Sequence, residues 1–463
     1  MDSIPLSFEL TRTLFACRGT IPADVRHKAR LHIADSVGIA LAARSTSLAT
    51  DVVRAQLSAT GVGASPVLAG GSMAPLGAAY INAAMVHILD YDDIHDEGRL
   101  HPGAVIVPAV LAVSTLLPLS DEAFIDAVAL GNELICRLGK VCAPQGEGPG
   151  SEWFLTQLFG YIAAGVAASV ALDLTVEQTV SAIGLAYMQA AGGKQAGFGT
   201  GANARAVYPA FAAQGGVQAA LLAREGLIGP EGALDGTAGL FPIYLGGQLS
   251  ATQRAELLDM SVWHFRDVAL KPWPSCRLSH PYIAVALAAR DQVNAQPAAT
   301  IRLAVNASAA RLCRPLEQRR VPRTLQDAKY SIPFMTAFTL LHGAPSLNTL
   351  NDDALGDPGV LAIAARIELD ENLPDNPGHP QAVLTLDADG PAPRAYHFDA
   401  SGLQVDETAA FGKFTSCLEY AGLSAEASSV WHRIMRGDLI PTIAELCSQR
   451  VAADGIAAVS AGN

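Results

Sequence analysis

The spacing of apolar residues changes character once along this chain, at Lys271-Pro272-Trp273-Pro274, and that switch constrains the fold more than any other feature. Over residues 1–265 the apolar positions recur at helical spacing. In PADVRHKARLHIADSVGIALAA, Val25, Ala29, Leu31, Ile33 and Val37 share one broad helix face, and Pro22 stands where a missing N–H is tolerated. Ser120-Asp121-Glu122 places a cap and acids ahead of AFIDAVALGNELICRLG. Thr175 and Gln178 form a capping-box pattern, and GVQAALLAREG (216–226) reads as a helix stopped by Gly226. Beyond the switch come short β-like runs, IRLAV (301–305), AARIEL (364–369), AVLTL (382–386) and AYHF (395–398), separated by LPDNPGHP and DGPAP. QDAKYSIPFMTAFTLLHG between the first two reads as helix, and helical spacing returns from Ala409. The expected fold is mainly α: a large all-helical domain from residues 1–265 plus 401–463, with a smaller inserted α+β domain at 266–400.

Composition narrows the function classes. With 463 residues, 50% of them hydrophobic and 16% charged, the chain can bury a large core and is not disordered. Aromatics are only 6%, while Ala and Gly abound, which favours helices that approach closely. Lys+Arg 31 against Asp+Glu 44 gives a net charge of −13, an argument against nucleic acid or an anionic membrane as partner. A small anionic substrate stays compatible, because a local basic pocket can sit in an acidic protein. Seven cysteines without a CxxC pair suit reduced thiols and a cytoplasmic location. The first residues show no basic-then-apolar leader pattern. The uncharged run 103–119 contains Pro108 and Pro118 and reads as a buried helix rather than a membrane span.

Polar chemistry collects in four places. His87, His95 and His101 stand among Asp90, Asp92, Asp93 and Asp96. A carboxylate beside an imidazole is a proton-transfer group. If the stretch is helical, His87, Asp90 and Asp93 repeat at i,i+3. The spacing matches no strong zinc pattern, so no metal is expected. The competing reading of Asp92 and Asp93 is helix-end capping beside a solvated acidic loop, which for Asp96 and Glu97 is the better one. Lys271, Arg277 and His280 form a cationic segment: Arg277 suits a two-point grip on a carboxylate, and Lys271 suits enolate charge or a proton if burial lowers its pKa. Its alternative is an ordinary linker, and Cys276 within it reads as a buried thiol. Gly192-Gly193-Lys194, Gly199 and Gly201 lack the order of a phosphate-binding loop. Tyr330 adjoins an apolar helix, where a tyrosine is usually core.

Taken together, HILDYDD followed by HPGAVIVPAVLA, then KPWPSCRLSHP and DAKYSIPF, resemble the MmgE/PrpD family over nearly the whole chain. That family contains 2-methylcitrate dehydratases, cis-aconitate decarboxylases and an iminodisuccinate epimerase. The resemblance implies a helical domain, a smaller lid domain with the active site in the cleft between them, a homodimer, and no cofactor. Asp90 matches the family's motif aspartate, His101 the histidine of an HPSGA-like stretch, and Lys271 the cleft lysine. Arg277 falls in the same basic segment, and Tyr330 at the aromatic before an SLPY-like stretch. Three positions depart: Phe154 replaces a histidine, Arg205 a lysine and Tyr208 a histidine. Arg205 binds carboxylates but cannot donate a proton at ordinary pH, whereas Tyr208 can. With one acid lost, the pattern looks most like the epimerase, which has no leaving group to protonate.

The expected activity is therefore proton transfer at a carbon α to a carboxylate of a small polycarboxylate, best matched by epimerisation of iminodisuccinate. His101, Lys271, Tyr208 and Asp90 are the expected catalytic residues, with Asp90 orienting His101. Arg205, Arg277, Asp93, His280 and Tyr330 are the expected substrate contacts. The alternatives are a 2-methylcitrate-type dehydratase or cis-aconitate decarboxylase (lyases), and a non-catalytic carboxylate-binding protein on the same fold.

Overall fold

A computed structural model of the chain describes residues 4–142, 152–197, 202–375, 380–387, 393–398, 400–403 and 405–448. The fold is mainly α. The chain divides into two compact units, one assembled from the chain up to Gly197, Ala204–Leu270 and the chain from Glu407, the other from Phe198–Asn203 and Lys271–Asp406. Gly199 and Gly201 lie outside the described residues, as do parts of the Pro/Gly clusters between the later strands.

In the larger unit the helices begin where local chemistry starts them. Pro22 precedes the helix Ala23–Ala43. Ser120 Oγ accepts the Ala123 N–H at the start of Asp121–Arg137, and the Thr175–Gln178 capping box opens Val176–Tyr187. The helix Gly103–Val113 is buried on every side, as its uncharged sequence requires. Small residues set the packing. A Cβ at Gly216, in the helix Tyr208–Arg224, would stand 2.5 Å from Ala164 Cβ and 2.6 Å from Gly165 N in the helix Leu155–Ala171. A helical glycine costs about 1 kcal/mol against alanine, and here it permits backbone contact that no other residue allows. Arg137 is fully buried and pairs with Glu133 at 2.7 Å. Its guanidinium also donates to the carbonyls of Glu256, Leu257, Asp259 and Val262.

The smaller unit holds a four-stranded mixed sheet. Its order is Ile367–Asp370, Thr300–Ala304, Val383–Asp387, Arg394–His397, with only the first pair parallel. Thr300–Ala304 and Val383–Asp387 bury alternate residues, so Ile301, Leu303, Leu384 and Leu386 turn to one apolar face. The helices His280–Ala295 and Ile332–His342 contribute Tyr282, Ile283, Phe334 and Phe338 to the same core. The run expected as one helix is two, Leu325–Lys329 and Ile332–His342. Ser331 Oγ accepts the Phe334 N–H, and Pro333 in the new first turn has no N–H with which to continue the old helix.

Among the described residues, no helix is long and apolar enough to cross a membrane. All seven cysteines are free thiols, six of them buried.

Candidate active site

The helix Pro75–Ile88 is apolar almost throughout and carries His87 in its last turn. It stops there, so Asp90 is not on a helix face with His87. Asp90 takes the left-handed φ of 53°, a conformation costing an ordinary residue about 1–2 kcal/mol and more tolerable for aspartate. Arg99, at the far end of the same loop, also has φ 53°. Strained backbone at both ends of one loop is a mark of functional geometry.

The turn at Asp90 drives the next two carboxylates inward, where both are buried rather than solvated. Asp92 Oδ2 lies 2.8 Å from His87 Nδ1 and 3.5 Å from His101 Nδ1. The carbonyl of Asp93 lies 2.6 Å from His101 Nδ1. The Asp93 carboxylate faces His32 Nδ1 at 2.6 Å and accepts the Gly103 N–H at 2.9 Å. It caps the helix Gly103–Val113, whose own Pro102 supplies no cap. Asp93, expected as a substrate contact, has these internal partners and positions the loop. The backbone N–H of His101 donates to Thr156 Oγ1 at 2.9 Å.

Two buried groups anchor the loop from the other side. Lys413, in the helix Glu407–Tyr420, donates to the Tyr91 carbonyl at 2.7 Å and pairs with Asp35 at 2.7 Å. Its ammonium also sits 4.1 Å from the Tyr91 ring centroid. Burial pushes the Asp35 carboxyl up to about 6, and Lys413 opposes the rise. Burial likewise lowers the pKa of His32, with Asp93 pulling it back.

The tautomers follow from these partners. His101 Nδ1 faces a carbonyl and a carboxylate, both acceptors, so it carries the proton and Nε2 is the basic nitrogen. His87 Nδ1 faces Asp92 in the same way, and its Nε2 is buried with no hydrogen-bond partner among the described residues. Asp92 and the Asp93 carbonyl both face His101 Nδ1; the sequence also pointed to Asp90 as an orienting group. His87, Asp92 and His101 bring their donor atoms within 4.8 Å of one another, a set with the chemistry to ligate a cation; His87 hydrogen-bonds Asp92 at 2.8 Å, and His101 lies 3.5 Å from the same carboxylate oxygen.

Tyr208 opens the helix Tyr208–Arg224 and donates to Thr156 Oγ1 at 3.2 Å. Phe154 stacks on its ring at 4.4 Å and 18°, and His87 meets it edge-on at 5.0 Å. Burial raises the phenol's pKa, only partly countered by Thr156 and Arg205, so Tyr208 stays protonated and acts as a donor. Arg205 holds its guanidinium 5.9 Å from the Phe154 ring centroid. Thr156, Tyr208 and Phe154 line a cavity of about 50 Å³ together with Arg99, Trp153 and Lys194.

The smaller unit places the cationic segment on its own core. Lys271, Ser275, Ser279 and His280 are buried, and Arg277 is half-buried. His280 Nε2 donates to the Ser275 carbonyl at 3.2 Å, Ser275 and Ser279 hydroxyls meet at 2.9 Å, and Trp273 packs on the His280 ring. The Cys276 N–H donates to the Lys329 carbonyl, which ties this segment to the turn carrying Tyr330. Cys276 is a buried thiol. Tyr330 is buried, and its carbonyl accepts from Arg319.

Sequence reasoning missed His32, Asp35, Thr156 and Lys413, placed His87 in the histidine–aspartate cluster without a specific role, weighed Asp92 as a helix cap, and gave no role to Arg99 or Lys194. Thr156 and Lys194 stood inside motifs already singled out. Nothing in the sequence links Lys413 to Tyr91.

The profile of the MmgE/PrpD N-terminal domain matches residues 17–252, and that of the MmgE/PrpD C-terminal domain residues 273–390. A cis-aconitate decarboxylase of Aspergillus terreus is 28% identical over 271 residues, 56% of this chain and 55% of that protein. A cis-aconitate decarboxylase-like protein, oryM, of Aspergillus oryzae is 31% identical over 230 residues (48% and 47%). The cis-aconitate decarboxylase of Mus musculus is 26% identical over 312 residues (65% and 62%). The matched stretch thus spans about half the length of the first of these relatives.

Proposed function

The chain belongs to the MmgE/PrpD family, and from that premise we propose that it is an enzyme moving a proton at a carbon α to a carboxylate of a small polycarboxylate. The observation that carries this reading is the 2.6 Å contact between His101 Nδ1 and the Asp93 carbonyl, an acceptor, which assigns the proton to Nδ1 and leaves Nε2 as the proposed base. Such a group withdraws the α-proton, leaving an enolate whose added charge needs cations. Arg205, Arg277, Asp93, His280 and Tyr330 are proposed as substrate contacts, the two arginines holding carboxylates, and Asp90 is proposed to orient His101. Tyr208, held protonated by burial, and Lys271 are the candidates to return a proton.

Within that class we favour epimerisation of iminodisuccinate. The base takes a proton from one face of the carbon and an acid returns one to the other, so no group leaves and no atom is lost. Phe154 stacked on Tyr208 supports this, because the apolar ring stands where a second acid is found in family dehydratases. The names of the relatives favour a second reading, decarboxylation of cis-aconitate, in which a C–C bond breaks, CO₂ leaves, and the electron pair left behind is protonated. A homodimer in the cytoplasm completes the proposal.

Incubation with single stereoisomers of iminodisuccinate in D₂O distinguishes the readings. Exchange of the α-proton with interconversion of isomers is expected. CO₂ release from cis-aconitate, or a new alkene absorbance from 2-methylcitrate, with no exchange in iminodisuccinate, would replace the epimerase by a lyase. Binding of these acids without exchange or turnover would leave a non-catalytic binding protein.

A further inference from the structure

One hydroxyl joins two of the proposed proton-transfer groups. Thr156 Oγ1 accepts the backbone N–H of His101 at 2.9 Å and the Tyr208 phenol at 3.2 Å. The two donors lie on opposite sides of it in the chain, 55 and 52 positions away. A hydroxyl oxygen has two lone pairs, so these donors fill its accepting capacity. Thr156 is only 1% exposed, and a bond lost there is poorly made good by bulk water. The same three segments meet again one turn further in. Four places on from His101, Thr156 and Tyr208 stand Val105, Gly160 and Ala212. They belong to the helices Gly103–Val113, Leu155–Ala171 and Tyr208–Arg224. A Cβ at Gly160 would stand 2.9 Å from Ala212 Cβ and 3.2 Å from Val105 Cγ1. The three helix starts are therefore locked by a close apolar contact, and the polar trio lies one turn away from it.

We propose that Thr156 is a positioning residue that holds the base His101 and the acid Tyr208 in register, and so decides whether an abstracted proton is replaced with inversion. The inference rests on the epimerisation reading above and, of its two candidate acids, selects Tyr208. Inversion needs base and acid on opposite sides of one carbon, so the distance between them must be fixed. A misplacement of about 1 Å costs roughly 10²-fold in rate. Thr156 fixes both ends with one atom. It holds the His101 loop by the main chain, so the imidazole is not spent on the contact. It holds Tyr208 by the reacting hydroxyl itself, which parks the phenolic hydrogen until a carbanion competes for it. Once that hydrogen is given up, the Thr156 O–H can turn and donate to the phenolate. Burial raises the pKa of Tyr208 and the Thr156 contact opposes the rise, which tempers the weakness of the acid.

The test measures two rates of the full chain on a single stereoisomer of iminodisuccinate in D₂O: uptake of deuterium at the α-carbon, and conversion to the other isomer. A base whose partner acid is out of place returns deuterium to the same face, giving uptake without conversion. The ratio of conversion to uptake thus reports the register of base and acid, and a general loss of active protein does not move it. In Thr156→Val, which keeps the shape and removes the hydroxyl, that ratio should fall about tenfold or more. Thr156→Ser should restore it. Tyr208→Phe should show the same low ratio, and adding Thr156→Val to it should lower the ratio no further. Amide hydrogen exchange of the peptide containing His101 gives a readout apart from turnover: protection should fall in Thr156→Val and return in Thr156→Ser. A wild-type ratio in Thr156→Val or in Tyr208→Phe overturns the inference while leaving proton transfer intact. Unchanged protection at His101 in Thr156→Val overturns the clasp itself. Wild-type protein that takes up no deuterium into iminodisuccinate overturns the functional reading and this role with it, a result seen before any variant is made.

Discussion

Replacing Lys413 by Met removes the one cation seen against both Asp35 and the Tyr91 carbonyl, each at 2.7 Å, and leaves a carboxyl group in a site where it is only 5% exposed. Breaking a buried pair from one side costs about 3–5 kcal/mol, because the remaining charge has nothing to offset its desolvation. The cost must depend on pH. Asp35 is raised in the folded protein from 3.8 to about 6, so the folded state binds its proton more tightly than the unfolded state does. Stability from this group is full below 3.8 and is lost as pH rises through about 6. That rise corresponds to roughly 3 kcal/mol across the window. In Lys413→Met the carboxyl rises further, and the window extends upward. At pH 8 the variant should lose about 3–5 kcal/mol, and at pH 5, where a neutral Asp35 needs no counter-ion, the deficit should shrink by about 2 kcal/mol or more. Asp35→Asn added to Lys413→Met should restore much of the loss at pH 8. Urea unfolding followed by circular dichroism at pH 5, 6.5 and 8 measures all three proteins. A deficit that does not change with pH, or a double variant no more stable than the single one, would refute the account of how this loop is held.

His101→Ala should leave a folded protein whose turnover falls about 10²–10⁴-fold, the span of one well-placed acid/base; near-normal exchange of the α-proton in D₂O removes His101 from the mechanism. Gly103→Ala places a Cβ 2.7 Å from Asp93 Oδ2 and 3.1 Å from Ser36 Oγ, so it should cost about 1–3 kcal/mol and reduce turnover by displacing the cap. A thermal midpoint and activity equal to wild type would show that Asp93 yields without consequence.

The helices that sequence made legible are those with strong local instructions. Thr175 and Gln178 build their capping box from residues three apart, and the uncharged run at Gly103–Val113 had no stable place except the interior. The cluster of histidines and aspartates was visible for the same reason, as composition within a short span. Its geometry was not, because the helix that would have aligned His87 with Asp90 ends at Ile88. Beyond that ending Asp92 turns toward His87 and His101. Burial then decides the rest. Capping was weighed for Asp92 and Asp93, but their partners, His32, Gly103 and the two imidazoles, are seen only in the folded chain. Lys194 sat in a glycine-rich stretch whose order excluded one phosphate motif, and only the folded cavity shows it beside Arg99.

The bond between Lys413 and Tyr91 joins positions 322 residues apart. At a synthesis rate of ~5–20 residues per second, roughly 15–65 s separate the emergence of the loop from that of its anchor. During that interval Asp35 is made without its counter-ion and has reason to stay protonated or wet. The larger unit therefore cannot close by folding in order from its first residue; its interior waits for a helix made after the whole of the smaller unit. A nascent chain halted before residue 413 would already carry His87, Asp92, His101 and Tyr208, but not the fastening of their loop, which is made near the end of translation.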